Sequence, residues 1–356
     1  MARSPERLKS AIGSGLLSFP VTHFTDDGAF APGPYQEHID YLVGHRPAAL
    51  FAAGGTGEFF SLQLAEYESV VAAAVESARG RLPVVAGVGY GTALAIEFAK
   101  LAEKAGADGI LLLPHYLIQA EQEGLYRHIA AICRAIGIGA IVYHRDNCLF
   151  ELDTMRRLAD ACPNLIGFKD GHGNVEQLTC LRDTLGDRLV YVGGMPTAEV
   201  FAAANRAIGI STYSSAIFNF APEYAQRFFA AVHSGDRAFT SEAVRSFFIP
   251  YLALRNQRRG YAVSIVKAGL RVVGRSAGPV RAPLLDLTAD QEAALAGLVA
   301  RAMRALELPR QPAMRAPLSD CDDPCFFRTA IRPGISVSAR EISLRPNSAS
   351  EISLTM

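Results

Sequence analysis

Lys169 is the residue in this sequence best placed for covalent chemistry. It closes the apolar run Leu165-Ile166-Gly167-Phe168 and is followed at once by Asp170-Gly171. Such a pattern reads as the C-terminal end of a buried strand opening into a turn. Burial disfavours an ammonium, and the neutral amine is the nucleophile that imine formation with a ketone requires. Lysine is scarce here, five against thirty arginines. Lys100 and Lys104 share a helix face at i, i+4, Lys9 lies in the N-terminal arm, and Lys267, behind Ser264-Ile265-Val266, is the one rival. The plainer alternative for Lys169 is a side chain that snorkels to solvent.

Three further groups stand at ends of apolar runs. Tyr143 ends Ala140-Ile141-Val142-Tyr143, where a phenol can move protons as a carbinolamine and then an imine form; alone, it reads equally as a core aromatic. Ala53-Gly54-Gly55-Thr56-Gly57-Glu58-Phe59 joins three glycines to a threonine ahead of a helical stretch. Backbone N–H groups in such a loop suit an anion, and a carboxylate fits Gly55, Thr56 and Gly57. The loop lacks the lysine of a phosphate-binding P-loop, and Glu58 reads as structural. Pro114-His115-Tyr116 follows another apolar run, with Tyr116 able to close a site and His115 reading as a plain loop residue. In His144-Arg145-Asp146-Asn147, Arg145 suits a second carboxylate or a surface ion pair with Asp146.

The elements that must position these groups alternate along the chain. Strand candidates are Gly15–Phe19, Ala48–Ala52, Pro83–Val88, Gly109–Leu113, Gly139–Tyr143, Leu165–Lys169, Leu189–Val192 and Gly209–Thr212. Stretches of helical periodicity separate them, as in Leu64–Arg79 and Thr92–Ala105. Near-continuous apolar strands imply a parallel sheet buried on both faces. Eight such units predict a (β/α)₈ barrel over residues 10–219, with its site at the C-terminal strand ends. A doubly wound open sheet is the alternative, but the first strand–helix turn lacks a dinucleotide-type glycine fingerprint. In the barrel, strands five and six are neighbours, so Tyr143 and Lys169 share a rim. Residues 220–306 read as a helical extension, and residues 307–356, rich in Pro, Ser and Arg, as a disordered tail.

The 356 residues carry no formal net charge, and half are hydrophobic, which argues against nucleic acid or an anionic membrane as partner. No apolar run is long enough to span a bilayer, and no secretory leader is visible, so the cytoplasm is the expected compartment. Cys133, Cys148, Cys162 and Cys180 are expected to be buried free thiols. Cys321 and Cys325 lack nearby histidines for a zinc set.

Together these stretches resemble the dihydrodipicolinate synthase / N-acetylneuraminate lyase superfamily over residues 10–305. Gly54-Gly55-Thr56-Gly57-Glu58 is similar to its carboxylate loop, Tyr143 to its proton-relay tyrosine and Lys169 to its Schiff-base lysine. Pro114-His115-Tyr116, with Gln122-Glu123-Gly124-Leu125-Tyr126, matches the segment after strand four. The branch that dehydrates 5-dehydro-4-deoxyglucarate is the most alike, through Leu17–Thr22, Gly54–Leu62, Gly167–Gly171, Gly193–Glu199, Tyr213–Ala216 and Gly260–Gly269. The resemblance implies a homo-oligomeric lyase, tetrameric by analogy, acting on a small sugar acid with neither metal nor organic cofactor. It adds Gly194 and Ile210 to the substrate-binding set. Synthases of the superfamily carry two adjacent threonines in the loop, and Gly55 replaces one of them, which breaks a hydroxyl relay and disfavours that activity. His144 stands where the dehydratases commonly have asparagine. A pyruvate-dependent class I aldolase and a non-catalytic keto-acid-binding barrel are the alternatives.

Overall fold

Eight short parallel strands close on themselves in chain order. They are β1 (Leu17–Ser18), β2 (Ala49–Ala52), β3 (Val84–Val88), β4 (Gly109–Leu112), β5 (Gly139–His144), β6 (Leu165–Asp170), β7 (Val190–Gly193) and β8 (Thr212–Ser215). The computed structural model describes residues 2–116 and 118–307. The tail expected over residues 307–356, with Cys321 and Cys325, lies outside the described residues apart from Glu307. Closure comes from β1 pairing with both β2 and β8, Leu17 standing opposite Ala49 on one side and Ser214 on the other. Every residue of β2 to β6 is buried, as strands packed between a filled interior and a ring of helices must be.

The helices form where apolar residues recur on one face, and some of them begin at a side chain that caps the first turn. Asn174 Oδ1 accepts from Gln177 N at 3.1 Å at the start of helix Val175–Leu185, and Asp236 Oδ1 accepts from Phe239 N at 3.0 Å. Each such cap is worth about 1 kcal/mol.

The N-terminal helix Pro5–Ile12 contacts β5, β6 and β7. Its Leu8, fully buried, fills the space at the beginnings of β4 and β5. A Cβ at Gly109 or Gly139 would approach Leu8 Cδ2 to 2.5 or 2.9 Å, so glycine at both strand starts is the condition for the plug to seat. The other end of the barrel is thereby left as the accessible one.

Two strands depart from the sequence expectation by more than one residue at an end. The first is shorter than Gly15–Phe19. The eighth begins at Thr212 rather than Gly209, because Gly209 at φ +87° and Ile210 still belong to the exit of the preceding helix, with Ile210 N bonded to Asn205 O at 2.9 Å. The strand itself is the polar run Thr-Tyr-Ser-Ser, which hydrophobic patterning passes over. Cys133, Cys148 and Cys162 are buried free thiols as expected, but Cys180 is exposed on its helix.

After β8 come the helices Pro222–Ser234, Arg237–Ala243, Ile249–Arg255, Tyr261–Val272 and Ala289–Glu307. Val244–Phe248 makes a π-helical turn that joins the second of these to the third without a break. No helix among the described residues is long and apolar enough to cross a membrane.

Candidate active site

The strand ends at the accessible face surround a cavity of about 310 Å³. β5 and β6 run in register with Tyr143 opposite Lys169, so the inward alternation that buries Tyr143 buries Lys169 beside it. Only 4 % of Lys169 is exposed. Its Nζ lies 3.5 Å from the centroid of the Tyr143 ring and 5.1 Å from that of Phe19. Burial draws the Lys169 pKa below its usual value of 10.5, opposed by attraction to Tyr143. The Tyr143 hydroxyl donates to Gly194 O at 2.7 Å and accepts from Arg145 Nη1 at 3.0 Å. Burial alone would raise the pKa of this phenol, but the adjacent Lys169 and Arg145 cations outweigh it and the net direction is down. Burial lowers the amine's pKa and the neighbouring cations lower the phenol's, and the two groups in contact form a pair suited to exchanging a proton.

Gly194, just beyond β7, makes room for the lysine. A Cβ there would stand 2.6 Å from Lys169 Cγ and 2.9 Å from Nζ. Gly171 does the same for the phenol, where an added Cβ would lie 2.6 Å from Tyr143 Cε2.

Across the mouth, Gly55 and Thr56 line the cavity. Ala53 and Glu58 bracket the loop in left-handed conformations, φ +47° and +56°. The loop's inner bonds run from Glu58 N to Gly55 O and from Phe59 N to Gly54 O. Among the described residues no bond takes up the N–H groups of Gly55, Thr56 or Gly57. Gly57 lies beneath, with its carbonyl accepting from Thr22 Oγ1 at 2.6 Å. Glu58 points away from the cavity into a fully buried ion pair with Lys267, at 2.7 Å. That pairing removes Lys267 from contention as nucleophile.

The remaining expected residues divide. Arg145 lines the cavity and pairs with Asp146 at 3.3 Å. Tyr116 is exposed and does not line it, although its carbonyl is held by Asn147 Nδ2 at 2.6 Å. Ile210 is buried two residues ahead of β8, and Ser214, four residues further on, occupies the lining position on that strand. His144 alternates with Tyr143 and so faces outward. It packs against Phe168 at 5.1 Å, its Nδ1 accepts from Phe150 N at 3.0 Å, and burial pushes its pKa down to about 4. It is a neutral core imidazole rather than a substrate contact.

Sequence reasoning missed Thr197, Tyr251 and Arg255, which also line the cavity. Tyr251 and Arg255 share one face of helix Ile249–Arg255 at i, i+4. Their only sequence signal is that spacing, directly after a segment whose π turn re-aims the helix, a feature frequent at functional sites. Among the described residues no set of three or more His, Cys, Asp or Glu converges as metal ligands.

The model of the dihydrodipicolinate synthetase family matches residues 13–321. The chain belongs to that family. It is 57 % identical over 302 residues to a protein of Rhizobium rhizogenes named probable 5-dehydro-4-deoxyglucarate dehydratase, covering 85 % of this chain and 100 % of the relative. A protein of the same name from Xanthobacter autotrophicus is 55 % identical over 296 residues, covering 83 % and 98 %. Among solved structures, dihydrodipicolinate synthase from Bacillus clausii superposes with a TM-score of 0.74 at 26 % identity, covering 85 % of this chain and 100 % of that one. The barrel is therefore the family's (β/α)₈ fold, carried here on a chain whose sequence lies much nearer the dehydratase-named relatives.

Proposed function

We propose that this chain is a decarboxylating hydro-lyase that converts 5-dehydro-4-deoxy-D-glucarate to 2,5-dioxopentanoate, CO₂ and water through an imine on Lys169. The observation that carries the reading is the buried Lys169 amine against the Tyr143 ring, with unbonded loop N–H groups across the cavity. The names of the relatives support the choice of substrate.

In this reading Lys169 Nζ attacks the C5 ketone while the C6 carboxylate rests on Thr56 and the N–H groups of the glycine loop. Tyr143 delivers and removes the protons of carbinolamine collapse, and its bond to Gly194 O fixes the phenol over the reacting carbon. Loss of a C4 proton gives an enamine whose electrons expel the C3 hydroxyl as water. The conjugated iminium then accepts the electron pair of the C1–C2 bond as C1 leaves as CO₂, and C2, which bears a hydroxyl, becomes the aldehyde carbon after reprotonation. Hydrolysis returns the ketone and the free lysine. The imine is the electron sink throughout.

The test is borohydride reduction in the presence of pyruvate or of the sugar acid, with peptide mass analysis and CO₂ detection. The expected result is an adduct on the Lys169 peptide, release of CO₂, and loss of both in Lys169→Ala. An unmodified Lys169 peptide sinks the imine, and release of pyruvate from the sugar acid transfers the assignment to an aldolase. We also propose a homo-oligomer, supported by the exposed apolar side chains of Tyr116 and Ile118; sedimentation measures it.

A further inference from the structure

We infer that Arg255 holds the far, C1 carboxylate of the substrate, in a position set by Thr197, and so selects dicarboxylate over monocarboxylate 2-oxo acids. The inference rests on the reading of the cavity as a site for a 2-oxo acid joined to Lys169.

The cavity reaches from Gly55 and Thr56 on one side to Arg255 on the other, with Lys169 between β5 and β7 in its wall. A substrate whose C6 carboxylate sits on the glycine loop therefore directs the rest of its chain toward the opposite wall. Two arginines line the cavity, and their engagements differ. The Arg145 guanidinium has a counter-charge in Asp146 and donates to the Tyr143 hydroxyl. Arg255 forms no ion pair with a carboxylate among the described residues. Its Nη1 donates to Thr197 Oγ1 at 2.6 Å, and its Nε and Nη2 donate to Asn256 Oδ1 at 3.1 and 3.0 Å. A guanidinium has five N–H groups, so one remains on each terminal nitrogen, available to donate to a carboxylate.

Three features show that Arg255 is held and not merely present. Burial draws its pKa below the usual 12.5 and the nearby Arg145 adds to that, against attraction to Tyr251; an incoming carboxylate relieves both costs. Thr197 is a β-branched residue at φ +58°, a strained conformation that persists only where surroundings enforce it and that gathers at ligand sites. The π turn Val244–Phe248 directly precedes the helix that delivers the guanidinium. Outside the cavity, Arg255 also borders a cleft with Arg258 and Arg259. That cationic approach suits a dianion.

The pair 2-oxoadipate and 2-oxohexanoate tests this directly. The first has the carbon skeleton and both carboxylates of the proposed substrate without its hydroxyls, and the second lacks only the far carboxylate. Inhibition constants are measured for wild type, Arg255→Gln and Thr197→Val, with pyruvate–borohydride trapping on Lys169 run beside them. Wild type is expected to favour 2-oxoadipate by on the order of 100-fold, the scale of an opposed, partly buried charge pair. Arg255→Gln should reduce that preference to within about threefold while trapping with pyruvate persists. Thr197→Val, which keeps the charge but removes its anchor, should weaken the preference severalfold, and it carries the test if Arg255→Gln does not fold. A preference undiminished in the variant overturns the role of Arg255. Absence of trapping in wild type instead overturns the imine on which the inference rests.

Discussion

Gly194→Ala is the sharpest test of the packing around the lysine. The added methyl carbon would lie 2.6 Å from Lys169 Cγ, 2.7 Å from Asp170 O and 2.9 Å from Lys169 Nζ. Carbon atoms in contact prefer about 3.5–4.0 Å, so either the lysine or the backbone must move by about an ångström. The backbone is pinned at both atoms of the residue, since Gly194 N donates to Asp170 O at 2.6 Å and Gly194 O accepts from Tyr143 Oη at 2.7 Å. Relief thus displaces the amine or breaks the bond that aims the phenol. Overpacking of this kind costs about 1–3 kcal/mol of stability, and a misplacement of about 1 Å costs on the order of 100-fold in rate. The assay is steady-state CO₂ release together with the rate of pyruvate–borohydride trapping and a urea melt. Gly33→Ala serves as control, because a Cβ there meets nothing within 4 Å. If Gly194→Ala keeps kcat and trapping rate within twofold of wild type, the steric reasoning is wrong.

Further expectations follow from the same contacts. Tyr143→Phe should lower kcat by about 10²–10⁴-fold; a loss below tenfold in CO₂ release would remove the phenol from the proton relay. Because burial lowers the Lys169 pKa, the amine becomes neutral at lower pH than an exposed lysine. The pH profile of pyruvate trapping should accordingly have its midpoint below 10.5, and a midpoint at or above that value refutes the shift. Burial raises the Glu199 pKa from 4.5 to about 7. The folded state therefore holds the extra proton more tightly, and its stabilising contribution, full below pH 4.5, is lost as pH rises through 7. Glu199→Gln should remove that loss and stabilise the protein at pH 8 by on the order of 3 kcal/mol, and chemical melts at pH 5 and pH 8 that show no such difference would contradict it. Glu58→Gln should destabilise by about 3–5 kcal/mol by leaving Lys267 buried without its counter-charge, measured by the same melts.

The barrel was legible because its strands are apolar and its helices amphipathic, and because strand order follows chain order. That order alone placed Tyr143 beside Lys169. The eighth strand escaped since polar Ser214 and Ser215 pair with β1, and a ladder needs backbone groups, not hydrophobic side chains. The misplacement left Ser214, which lines the cavity, out of the expected site. Tyr116 was placed by its loop, but a loop position fixes no side-chain direction. Arg255 is one arginine among thirty. Its helix was visible in the periodicity, while the return of that helix over the cavity depends on tertiary packing that periodicity does not encode. His144 followed the opposite course, since the strand's alternation sends it outward wherever Tyr143 points in.

The buried contact between Glu58 and Lys267 joins chain positions more than two hundred residues apart. Arg281 strengthens the tie, its N–H on Glu58 Oε2 at 2.9 Å and its guanidinium on Glu66. This has a consequence for the order in which the molecule is made. On the ribosome, all eight strands emerge before Lys267, so a nascent barrel holds a glycine loop whose carboxylate has no counter-ion and whose conformation is unsupported. Lys169 likewise precedes Lys267 in the chain, so it is made before the partner that buttresses the glycine loop. A chain interrupted between residues 216 and 266 would carry Lys169 and all eight strands but lack the counter-charge of Glu58, and its glycine loop would be expected to bind anions poorly.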